Sequence, residues 1–200
     1  MTPDRDGFES ETLRLRGLTF WEPWASAIVR PVPEGATAPH PKRIDNRSHA
    51  PGKLLGGLLV IRTGKTVDPD GLHWINSTYD YGWSRSDLLA PGLLVGVARV
   101  LGVITPESER ARSRGSALGH PWYFGPHYGG KPNFGWTFID VVTFNDPIAF
   151  TPKCGLGQWP LPEEIEKEVR KRWREGMKAL MGRGMVAIEE GRRTKKEGER

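Results

Sequence analysis

The sequence predicts an α+β domain, mainly β: a small β-barrel with flanking helices and a C-terminal helix. Three observations carry this. Apolar runs of strand length recur between turn-forming segments. Glycine and proline are abundant, at 25 and 17 of 200 residues. The apolar period switches to three and four residues only after Pro162, where a helix is expected.

Taken in order, residues 1–12 read as an acidic, disordered leader with net charge −3. Leu13 to Phe20 alternates apolar and polar side chains and predicts a first strand. Pro23 sits where a helix can begin without losing a hydrogen bond. Trp24, Ala25, Ala27, Ile28 and Val29 give the helix its apolar stripe, and Pro31, Pro33 and Gly35 end it. Lys42–Arg47 is expected to be a short extended piece, and Leu54–Arg62 a central strand with both faces covered. Residues 68–91 read as an irregular excursion containing a short helix.

Leu93–Ile104 predicts another buried strand, and residues 105–135 a long loop, a length usual for functional or disordered segments. Trp136–Phe144 alternates as a strand, and Pro147–Phe150 adds a short one. After Pro162, Ile165, Val169, Trp173, Met177 and Leu180 form a helical stripe on a charged background. The domain is placed at 13–161, a helical extension at 162–188, and a charged, disordered tail at 189–200.

Composition excludes several classes. The single cysteine, Cys154, forbids an internal disulfide or a four-cysteine metal site. No HxxxH or HxH spacing occurs among the five histidines, so no metal or cofactor is expected. No run approaches the length of a membrane span, and the acidic N-terminus is no signal peptide, which makes the chain cytoplasmic by expectation. A formal net charge of +5 favours a polyanionic partner, nucleic acid above all.

Lys42, Asp45 and Arg47 are the densest chemistry in the sequence. On an extended segment Asp45 and Arg47 share a face, and Lys42 lies opposite unless the backbone turns. An arginine fork grips a phosphate or carboxylate at two points, a lysine supplies a mobile charge, and an acid between them accepts from an exocyclic amine. The same residues would equally serve as a structural ion pair. Trp24 and Trp136 read either as core or as platforms for unpaired bases. Trp159 is expected to plug the barrel. Arg110, Arg112 and Arg114, followed by Trp122, Tyr123, Phe124 and Tyr128, suit a single-strand binder. They suit a loop pinned by its aromatics equally well.

Leu18–Val29 with its Phe-Trp-Glu-Pro-Trp core, Pro41-Lys-Arg-Ile-Asp-Asn-Arg47, Gly57–Arg62 with Gly64-Lys65, Gly92–Ala98, Gly135–Asp140, Asp146-Pro147-Ile148 and Gly155–Trp159 occur in the order seen in ASCH domains (activating signal cointegrator-1 homology). The chain therefore resembles that family, of the PUA-like superfamily, over residues 18–159. The resemblance implies a PUA-like β-barrel with a cleft beside its first helix, in a superfamily whose members bind RNA or recognise modified bases. Some small members look like ribonucleases, or like amidohydrolases acting on acylated cytidine. The latter work with a lysine–threonine pair and a distant glutamate. Here Asp45 stands where the hydroxyl belongs, and Gly92–Gly102 carries no acid.

The combined expectation is an RNA- or nucleobase-binding protein with a basic cleft. Its site comprises Trp24, Lys42, Asp45, Asn46, Arg47 and Lys65 at the rim, with Arg110, Arg112 and Arg114 on the loop. The alternative is a small hydrolase, a ribonuclease or a modified-nucleoside amidohydrolase, using Lys42 and Asp45 in the same cleft. A further alternative is an adaptor that recruits a protein partner through its C-terminal helix.

Overall fold

A computed structural model describes residues 13–107, 121–125, 127–151 and 157–197, with backbone alone at residue 128 and from 183 onward. The acidic leader, the Arg110–Arg114 segment and Cys154 lie outside the described residues.

The predicted α+β class holds. A five-stranded mixed sheet runs in the order β1-β3-β4-β7-β2, from strands β1 (Leu15–Glu22), β2 (Ile44–Arg47), β3 (Leu58–Val67), β4 (Leu93–Ile104) and β7 (Phe134–Ala149). β1 pairs parallel with β3, and the other neighbours are antiparallel. A two-stranded ribbon, β5 (His127–Tyr128) with β6 (Lys131–Pro132), stands apart, within the segment 105–135 expected to be a long loop.

The strands are apolar runs because both faces of the sheet are covered. Alternate side chains go to opposite sides: Leu59 and Ile61 join Leu18, Phe20, Ile28 and Trp136 on one face, whereas Leu58 and Val60 join Leu15, Trp159 and Trp173 on the other. The first face is covered by α1 (Trp24–Val29), the second by α3 (Glu163–Glu197). The apolar stripe of α3 is spent there, with Val169, Trp173 and Met177 buried against Val142 and Phe144. α3 continues to Glu197, past the expected end at 188.

α2 (Pro69–Tyr79) fills the predicted excursion. Asp68 caps it through Gly71 N–H at 2.9 Å, and Pro69 opens it. With Ile44, Tyr81, Ile104 and Trp122 it builds a third cluster.

Two expectations are corrected. First, the segments 136–144 and 147–150 belong to one irregular strand, β7. Pro147 is tolerated because β2 pairs only with the opposite end, Phe134–Thr137, so β7 has no second neighbour at the proline. Second, the sheet is not a closed barrel: it ends at β1 and β2. Closure needs those edges to share a ladder. β2 is only four residues long, and its Ile44 carbonyl already accepts from the Lys42 ammonium. The outer edge of β1 meets Trp159 at one residue, Gly17, which donates to and accepts from it at 2.8 and 3.0 Å. Trp159 thus fills the edge of an open sheet, fully buried beside Phe150.

Candidate nucleic-acid interface

The unclosed gap is where the candidate site forms. A cavity of about 300 Å³ is lined from one edge by Thr19, Phe20 and Trp21 of β1 and from the other by Asp45, Asn46 and Arg47 of β2. Lys42, Trp24 at the start of α1, Asp68 and Phe124 complete it. Arg47 bridges the gap: its guanidinium lies over the Phe20 ring of the opposite edge at 5.3 Å and over Trp136 at 5.9 Å.

Asp45 organises the charge. Its Oδ2 accepts from Arg47 Nε at 2.6 Å and its Oδ1 from Lys42 Nζ at 3.3 Å. Burial pushes the Asp45 carboxyl up, but the Arg47 and Lys42 charges and their hydrogen bonds together hold it below the usual carboxylate range. Lys42 is almost wholly buried, and burial moves its ammonium below its ordinary value despite the pull of Asp45. That ammonium also donates to the Ile44 carbonyl and lies 5.6 Å from the Trp24 ring centre. Lys42 precedes β2, so it is not bound by strand alternation, and its long stem reaches back beneath Asp45.

Of the residues marked in the sequence, Trp24, Lys42, Asp45, Asn46 and Arg47 are brought together at this cavity. Lys65 is not. It is exposed on β3 and absent from the lining, which the chain reaches three residues later at Asp68. The sequence led to the expectation of a basic cleft. Lys42 and Arg47 face Asp45 and Asp68, so the formal charges of the lining cancel. Asn46 is occupied in holding the neighbouring loop: its Nδ2 donates to the Trp122 carbonyl, and its Oδ1 accepts from Phe124 N–H and Asn133 Nδ2. Trp136 is core, with its indole N–H given to His49 O at 2.7 Å.

The aromatics after the arginine run divide between the two readings. Trp122 is buried among Trp74, Tyr79 and Tyr81, and the Tyr123 hydroxyl donates to Asn133 O. Both pin the loop, whereas Phe124 reaches the cavity and meets Trp24 edge-on at 5.8 Å. The sequence reading had not marked Thr19, Phe20, Trp21 or Asp68. Asp68 fixes the Trp24 indole by accepting from its Nε1 at 2.9 Å while also capping α2. The Asp68-Pro69 pair is a helix-start signal and could have led to it. Trp21 lines the cavity and is 46% exposed.

No family model matches the sequence, and no curated protein matches it either. Among solved structures the chain is similar to the ASCH protein of Zymomonas mobilis, with 16% identity, a TM-score of 0.42 and coverage of 78% of this chain and 93% of that one. A single-residue variant of that protein is similar at 17% identity and a TM-score of 0.43, over 78% and 96% of the two chains.

Proposed function

We propose that this chain binds a single unpaired base of an RNA, or the corresponding nucleoside, in the cavity between β1 and β2. The observation that carries the reading is the convergence of flat aromatic faces and fixed hydrogen-bonding groups on one small hollow. Trp21 and Trp24 offer stacking surface, while Asp45 and Arg47 are held in place by each other. Its volume of about 300 Å³ lies at the lower end of the range for small-molecule sites, which suits one base rather than a folded polynucleotide. The ordered segments that resemble ASCH domains point the same way. Because the lining charges cancel, the base and not its phosphate is the group recognised inside. The net charge of +5 acts on the backbone outside.

The test is fluorescence anisotropy with short single-stranded RNA. Trp24→Ala is expected to weaken binding by about 1–3 kcal/mol, and Trp24→Phe, which keeps a ring, to retain most of it. Equal affinity of Trp24→Ala and the parent chain, with both shown folded by circular dichroism, would remove the site.

A hydrolytic reading in the same cavity has one observation in its favour: Lys42 lines the wall beside Asp45, where burial moves it below its ordinary value. It predicts turnover of RNA or acylated cytidine that Lys42→Met abolishes. Binding without turnover would leave the first reading alone.

A further inference from the structure

Resting on the base-binding reading, we propose that the cavity selects guanine, read by the free end of the Arg47 fork. The guanidinium has little freedom. Its Nε donates to Asp45 Oδ2 at 2.6 Å, and its central carbon lies over the Phe20 ring at 5.3 Å and over the Trp136 ring at 5.9 Å. A hydrogen bond at one edge and two rings beside the cation restrict where the group can move. Pairing through Nε leaves Nη1 and Nη2, which have no hydrogen-bond partner among the described residues, although the side chain is only 24% exposed. These nitrogens direct two nearly parallel N–H bonds outward, a geometry made for two adjacent acceptors.

Guanine carries such a pair in O6 and N7, whereas adenine sets a donor beside N7. A phosphate would also fit the fork by shape. It would meet Asp45 and Asp68 as well as the cations, and a neutral base does not incur that repulsion.

The opposite wall supplies the complementary half. Gly17 turns its main-chain N–H and C=O to the outer edge of β1, where both bond to Trp159. In a parallel ladder alternate residues face the same way, so Thr19 and Trp21 present their main-chain groups to that edge. No partner for them occurs among the described residues. The carbonyl of either can accept from both the N1–H and the adjacent amino group of guanine while its O6 and N7 face Arg47. Cytosine has adjacent acceptors too, but only one donor group and a smaller ring to stack.

The experiment uses the full chain and fluorescein-labelled oligouridines with one central base: guanine, adenine, cytosine or 7-deazaguanine, which lacks the N7 acceptor. The guanine probe is expected to bind about tenfold more tightly than the adenine probe, and 7-deazaguanine to lose most of that preference. Arg47→Lys keeps the charge beside Asp45 but removes the fork. It is expected to bind all four probes alike, with its fold checked by thermal melting. Equal binding of the four probes by the parent chain, a preference for cytosine or adenine, or 7-deazaguanine matching guanine would overturn the guanine assignment while the base-binding reading stands. Failure of every probe to bind would remove both.

Discussion

Asp45 carries more of the site than any other side chain, because Lys42 and Arg47 are both placed by it. Asp45→Asn would leave the Lys42 ammonium buried without a counter-charge. Breaking a buried pair from one side costs about 3–5 kcal/mol, so urea unfolding should show a loss of that order. The carboxyl sits below its ordinary value in the fold. Its contribution is therefore complete above the unfolded value near about pH 4 and is lost as pH falls from there. Glu22 has the opposite sign. It is buried, its Oε1 has no partner among the described residues, and burial raises its carboxyl despite help from Ser26 and Arg30. The stability it contributes is fullest below its unfolded value and is lost as pH rises through the raised one. Glu22→Gln should therefore raise the melting temperature at pH 7 relative to the parent and change it less at pH 4. The Lys42, Asp45 and Arg47 set was legible in the sequence because its charges lie within six positions. Their neutralisation was not, since Asp68 joins the cavity from another element and its distance along the chain hides it.

Strands and helices were legible wherever burial is regular. β3 and β4 read as apolar runs because both their faces are covered, and α3 because its stripe is long. The single strand β7 was hidden by Asp146-Pro147, which normally breaks a ladder and here sits on an unpaired edge. The closed barrel was the expectation for short strands with many turns. The open gap depends on a lysine side chain capping the edge of β2, and no periodicity records that. The seating of α3 on β7 depends on Gly176, where a Cβ would lie 2.2 Å from Val142 Cγ1. Alanine gains about 1 kcal/mol over glycine in a helix. Val142 is buried and stiff about its first side-chain torsion, so it cannot yield and α3 must lift. Gly176→Ala is expected to destabilise by about 1–2 kcal/mol net, read as a lower melting temperature. A stabilised variant would show that α3 is loosely seated.

At the scale of the molecule, charge and recognition are separated. The excess of basic residues is distributed over the chain, while the cavity lining is formally neutral. A nucleoside, which carries no phosphate, should therefore bind with an affinity nearly independent of salt. An oligonucleotide should weaken steeply between roughly 50 and 200 mM, as counterion release requires. Isothermal titrations at both salt concentrations compare the two; a steep fall for the nucleoside would place net charge inside the cavity after all. Among the described residues no helix is long and apolar enough to cross a membrane.

The account turns on a base entering the gap between the two sheet edges. Backbone and indole amide resonances followed by NMR during addition of a short single-stranded RNA test this most directly. The predicted result is shifts concentrated at Thr19, Trp21, the Trp24 indole and Asp45–Arg47. Shifts confined to α3 and Lys65, with those resonances unmoved at saturation, would contradict it.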